Sequence, residues 1–238
     1  VDPTGLDSLA RLPVNAPWAV AVLAAAVAHE TASPDEPLTW EGAPPDVLLL
    51  ANAVARAGGG FGMSRPSGGT YDTECALVLG PNVPCPQVKG RQAFELVRGE
   101  DGLGLALAWA PEPEPKVEVY WVDLEDGASR LEGPLEGCCR RIVFDSVMAF
   151  EEPELDRNPD GLYLDESAFG QLRSVLTTLT ARRARLRADA SRRVAELEAS
   201  IEGLEAAGGD PEQVYAKLEE ASKRLDALGE RGPWPSIS

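Results

Sequence analysis

Apolar residues recur in steps of three and four along the last third of the chain, at Phe169, Leu172, Leu176, Leu179, Leu186, Ala190, Val194, Leu197, Ile201 and Leu204. Steps of that size put one stripe on one side of a helix. The stripe is interrupted at Arg183, whose methylenes can lie along the seam while its charge stays in water. A shorter stripe follows at Val214, Leu218, Ala221, Leu225 and Leu228. Between the two, Gly208-Gly209 supplies a left-handed helix stop, Asp210 an N-cap, Pro211 the first helical position and Gln213 the reciprocal capping-box position. Gly229 and Gly232-Pro233 stop the second helix. Residues 165–229 therefore predict an antiparallel, coiled-coil-like helical hairpin. Opposite charges four apart (Asp189 with Arg193, Arg192 with Glu196, Glu219 with Lys223, Glu220 with Arg224) support both helices.

At about 1.5 Å per residue the first helix runs about 60 Å and the second about 30 Å. The second thus covers only the distal half of the first. The proximal stripe of Phe169, Leu172, Leu176 and Leu179 needs another surface, which the protein's own body, a second copy or a partner can supply.

Upstream the pattern changes. Two helices open the chain, one over 15–30 with Asn15 as N-cap and Trp18, Val22, Leu23 and Val27 in its core face. The other starts near Pro45-Asp46, carries Leu48, Leu49, Leu50 and Val54, and stops at Gly58-Gly59-Gly60. Short runs rich in branched or aromatic residues follow at 75–79, 94–97, 103–109, 117–122 and 140–144. Glu100-Asp101-Gly102 and Glu125-Asp126-Gly127 are tight-turn signals between them, and residues 111–115 form a stiff proline connector. The fold class expected is α+β: N-terminal helices with an antiparallel β-meander, then the helical hairpin. The composition shift near Phe150 divides the chain into an α+β body, 1–150, and a loop with the hairpin arm, 151–238.

Composition narrows the partners. The net charge of -17 over 238 residues is spread along the chain, and such acidity repels nucleic acid and anionic membranes. One basic cluster stands out, Arg182, Arg183, Arg185 and Arg187, with Arg192-Arg193 beyond it, a candidate surface for an acidic partner or RNA. The plainer reading is a solvated helix face that balances acidic neighbours. The most apolar run, 17–28, is too short to cross a bilayer and suits a buried helix. Ala26-Val27-Ala28 fits a signal-peptide cleavage pattern, but Asp2 and Asp7 give the preceding stretch the wrong charge. A soluble protein of the cytoplasm or an organelle matrix is favoured over a secreted one.

Candidate chemistry is sparse. His29 is the single histidine, which removes histidine-rich metal centres and leaves a catalytic triad dependent on one residue. Cys75, Cys85, Cys138 and Cys139 lack zinc-site spacing; reduced thiols are favoured over a Cys75–Cys85 disulfide. Gly58-Gly59-Gly60-Phe61-Gly62 lacks the lysine and hydroxyl of a phosphate loop and follows a helix. Asp156-Arg-Asn158-Pro-Asp160-Gly161 resembles the opening of an EF-hand-type calcium loop, with alternating oxygen side chains and a glycine at the bend. Ser167 stands where the bidentate glutamate belongs, so the segment reads first as an Asx-type turn capping the long helix. Asp156, Asn158 and Asp160 are the candidate metal ligands, with calcium the candidate ion; no other cofactor is implied.

These features order three functional classes. The leading one is a non-enzymatic interaction or assembly protein that docks on a larger complex, or self-associates as a homodimer, through its C-terminal arm. The second is a small-molecule-binding or carrier domain on the meander, near Trp40, Trp109 or Trp121. The third is a metal-dependent hydrolase using carboxylates near Asp156.

Overall fold

The structure, a computed structural model, describes residues 3–28, 39–56, 63–64, 66–67, 71–72, 75–77, 85, 88–99, 103–110, 116–123, 125–151, 163–164 and 166–237. In chain order it opens with α1 (Pro3–Arg11), α2 (Ala19–Val27) and α3 (Pro45–Arg56). Next come the two-residue strands β1 (Met63–Ser64), β2 (Pro66–Ser67) and β3 (Tyr71–Asp72). The main sheet is β4 (Cys75–Leu77), β5 (Gln92–Gly99), β6 (Leu103–Trp109), β7 (Val117–Asp123) and β8 (Ser129–Pro134). The chain closes with α4 (Leu135–Glu151), β9 (Tyr163–Leu164), α5 (Glu166–Ala206) and α6 (Glu212–Leu228). The fold is α+β, as the periodicities predict. It divides into two compact units, one built on Pro17–Leu176 and the other on Asp2–Ala16 with Thr177–Ser236.

In the first unit the five main strands pair antiparallel in sequence order, which makes a meander. Its central strand, β6, is buried on both faces. Leu105, Leu107 and Trp109 point one way and Ala106 and Ala108 the other, as the two-residue period requires. The two alanines form a cluster with Cys85, Val88 and Val122, against which Ala93 and Tyr120 pack. The turn before β8 is held by acidic side chains: Asp123 Oδ1 accepts the amides of Glu125 and Asp126, at 2.9 and 3.0 Å. Gly127 takes the positive φ of 74° that the turn needs.

Residues 140–144, expected as a strand, lie inside α4. The local Ile-Val-Phe run carries β-propensity, but Leu135, Cys138, Cys139, Ile142, Val143 and Val147 are buried at helical spacing. The longer period wins because it buries a whole face. The fifth strand is instead β8, whose Ser-Arg-Leu-Glu-Gly-Pro sequence is poor in strand formers and whose side chains are mostly exposed or half-buried. Pairing with β7 makes it a strand.

Helix α4 packs on β7 and β8, and α2 packs on α3 and α4. In α3 the buried face is Val47, Leu50, Ala51 and Ala53, whereas Leu49 is 43% exposed. The first predicted helix starts later than Asn15. Helix α2 begins at Ala19, and its free amides are met by a side chain more than a hundred residues away: Glu136 Oε1 accepts from Trp18 and Ala19, each at 2.9 Å. Its Oε2 accepts from Val20 at 3.3 Å. A carboxylate there meets orphan amides and the positive end of the helix dipole together.

The second unit holds an element that periodicity did not predict. Helix α1 has nine residues and contains Gly5, so it is too short to be stable alone. It is fixed instead by side chains of α5, described next.

Candidate functional site

The α5–α6 hairpin carries all the candidate interaction residues from the sequence. Its helices differ in length as expected, with 41 residues in α5 and 17 in α6. The connection between them is a Schellman stop. Gly208 has φ 69°, its amide donates to the Glu205 carbonyl at 3.0 Å, and the Gly209 amide donates to that of Leu204 at 2.8 Å. The N-cap of α6 is Pro211 rather than Asp210, one residue later than expected, since the Pro211 carbonyl accepts the first helical amides; Asp210 Oδ1 accepts the Glu212 amide at 3.0 Å from just outside the helix. At the tip the Tyr215 hydroxyl donates to Glu205 Oε1 at 2.8 Å and ties the helices together.

The proximal stripe is not an open surface. Leu172, Leu176 and Leu179 are 0, 1 and 0% exposed within the single chain, and Phe169 is 7% exposed. In the first unit, Phe169 stacks on Phe150 with ring centroids 4.2 Å apart. The Arg173 Nε–Glu151 Oε1 pair at 3.3 Å lies beside them. The helix-length arithmetic holds, and of the three covers expected for the stripe (the protein's own body, a second copy or a partner) it is the protein's own residues that seal it.

Arg183 likewise departs from expectation. It is 4% exposed, and its guanidinium is not in water. In the second unit Nη1 donates to the Leu12 carbonyl at 2.7 Å and, more weakly, to that of Ala10 at 3.4 Å. Nη2 donates to the Leu228 carbonyl. One side chain thus meets the unpaired carbonyls at the C-terminal ends of α1 and α6, where helix dipoles place negative charge. The Trp234 ring lies 5.7 Å from its Cζ, and the indole donates to Thr180 Oγ1 at 3.2 Å. Burial, then the nearby Arg187 charge, lower the Arg183 pKa; the group keeps its proton at any physiological pH.

The remaining arginines of the cluster separate. Arg182 pairs with Asp7 of α1 at 3.1 Å, Arg185 is exposed, and Arg187 is half-buried. No single basic surface results. The candidate calcium ligands Asp156, Asn158 and Asp160, His29 and the glycine run 58–62 all lie outside the described residues. Among the described residues no group of three or more His, Cys, Asp and Glu is placed to hold a metal ion. No described helix is long and apolar enough to cross a membrane. Cys138 and Cys139 are buried free thiols. Burial pushes Cys138 up to about 11 and, with the neighbouring Cys138, Glu136 and Asp46, raises Cys139 well above its ordinary value; neither thiol is activated as a nucleophile.

What the distal hairpin does present is a groove of about 320 Å³ along the α5–α6 seam. Leu186, Ala190, Leu197 and Ala221 contribute its apolar lining, and Lys217, Glu220 and Arg224 of α6 line it with charge. The small alanines at facing positions leave the depression. Asp189 and Arg193 of α5 line it as well, each already paired on its own helix, Asp189 with Arg192 and Arg193 with Glu196, and Lys223 pairs with Glu219 nearby. The first two are shifted by one residue from the pairs expected, and Glu220 with Arg224 does not form. Lys217 was not legible as special, because only the folded hairpin puts it beside Glu220 and Arg224 on a groove. An apolar trough with charged sides can receive a row of apolar side chains from another helix. The chain matches no family model, no curated protein and no solved structure with which it was compared.

Proposed function

We propose that the protein is a non-enzymatic docking module, and that the distal part of the α5–α6 hairpin is its binding element. The observation that supports this is the groove between the helices. Two helices alone cannot enclose their seam, and here Leu186, Val194, Leu218 and Leu225 remain only half-buried. A further helix laid along the seam would complete a bundle with coiled-coil-like packing. The proximal stripe takes no part, since it is already inside the protein.

The test uses the full chain as bait in extracts of its source cells, beside a Lys217→Glu/Arg224→Glu variant. Both substitutions are at exposed positions, so the melting temperature of the variant should stay unchanged. Recovery of a binding protein, a second copy included, should fall at least about tenfold. Equal recovery by both baits would remove the hairpin from the binding event.

A further inference from the structure

Resting on that reading, we infer that the occupant of the hairpin groove is a second copy of this chain, its hairpin packed antiparallel on the first. The argument begins with the charges on α6. Lys217, Glu220 and Arg224 are exposed and follow one another at steps of three and four, so they stand in a row along the groove. Their signs alternate. Among the described residues none of the three has an ion-pair partner, although neighbouring Glu219 and Lys223 on the same helix do pair.

An isologous two-fold contact has a strict requirement: where residue i meets residue j, j must also meet i. A row of one sign would repel itself across such an axis. A carboxylate flanked on both sides by cations satisfies it in either available register. Lys217 can face the second copy's Glu220, and reciprocally, or Glu220 can face the second copy's Arg224, and reciprocally. Each register forms two opposite-charge contacts and sets the alanine-lined trough of one copy against the half-buried leucines of the other.

The contact is small. A face about 25 Å long, the length of α6, and about 20 Å wide covers roughly 500 Å² per copy, below the ~800 Å² typical of a stable complex. The dimer is therefore reversible, with a dissociation constant of about 10–100 µM.

Sedimentation equilibrium of the full chain over a concentration series reads this directly. Glu220→Lys makes the row wholly positive and should weaken the dimer at least about tenfold. The triple variant Lys217→Glu/Glu220→Lys/Arg224→Glu reverses every sign but keeps the alternation, and should bring the constant back to within about threefold of the parent. Circular dichroism establishes that each variant is folded. A chain that stays monomeric at about 1 mM, or a Glu220→Lys variant that dimerises as tightly as the parent, overturns the proposal. The two readings are separable: a monomeric chain that still recovers a different protein in a groove-dependent manner removes the second copy and leaves docking intact. Loss of both removes both.

Discussion

Arg183 donates to the carbonyl oxygen of Leu228, forty-five residues further along the chain, from a guanidinium that also holds the end of α1. The fork geometry makes this double role available, because two nitrogens leave one plane in different directions. No carboxylate pairs with the group among the described residues, and two helix ends supply the compensating negative charge instead. Removing the side chain would strand carbonyls at both ends.

The Arg183→Met variant is accordingly expected to lose about 2–4 kcal/mol of stability in the unit that holds the hairpin. Arg183→Lys should be only partly better, since an ammonium is a single point of charge and lacks the fork that reaches both ends. Denaturant unfolding gives the magnitudes. Hydrogen exchange should show the amides of α1 losing protection first. Retained α1 protection in Arg183→Met would mean that the guanidinium is incidental to that helix.

Glu136 does at the start of α2 what Arg183 does at the ends of α1 and α6. Its two oxygens take three consecutive amides, and the helix they serve has no polar residue of its own at the N-cap. Glu136→Ala should therefore cost about 1–2 kcal/mol, and Glu136→Gln about half of that, because the amide oxygen still accepts while the charge is gone. The check is a thermal melt of the two variants side by side. Equal stability of the Gln variant and the parent would assign the whole effect to hydrogen bonding and none to the dipole.

At the hairpin connection, Gly208 and Gly209 resist substitution for different reasons. Gly208 sits at φ 69° in open space, so Gly208→Ala pays only the left-handed backbone cost of about 1 kcal/mol. At Gly209 a Cβ would come within 3.3 Å of both the Leu204 carbonyl oxygen and its Cδ2. Gly209→Ala must push on backbone and side chain together. Gly208→Asn, which tolerates the left-handed region, should recover most of the loss at that position, whereas Gly209→Asn should not. Helix content against denaturant distinguishes the two.

What the sequence disclosed, and what it withheld, follows from the range of the interactions involved. The hairpin was legible because its determinants are local: a stripe of period 3.6, then Gly-Gly-Asp-Pro. Strand β6 was legible for the same reason, as its run of 103–109 is bounded by turn residues. Helix α1 was not, since nine residues with a glycine give too weak a local signal and the stabilising group is Arg183. The start of α2 is not legible, and Asn15 offers a local cap in its place, because Glu136 lies 118 residues from Trp18, a distance over which no spacing rule operates. Residues 140–144 look like a strand because a short β-branched run stands out locally, while the helical period of α4 shows only over the longer span Leu135–Glu151. In the candidate site, the seam and the Glu220–Arg224 relation were visible as sequence spacing. Their failure to pair within the chain was not, because i,i+4 spacing permits a contact without requiring it.

Asp145 gives the pH dependence. On α4 its carboxyl is partly buried, Oδ2 is enclosed without a hydrogen-bond partner, and burial raises its pKa above the ordinary 3.8 although Arg141 pulls the other way. The native state therefore holds a proton that the unfolded chain has already released once the pH passes 3.8. Stability from this group falls as pH rises from there through the native value, and the deficit is fully present at neutral pH. Asp145→Asn removes the ionisation while keeping the shape. It should raise the melting temperature at pH 7 by about 1–2 °C, an amount discounted for the solvent that still reaches the group. Below about pH 3.8 parent and variant should converge, because neither carries the charge. Melts of the two proteins at pH 3.5, 5 and 7 would decide it; a gap that is the same at all three would trace the gain to something other than ionisation.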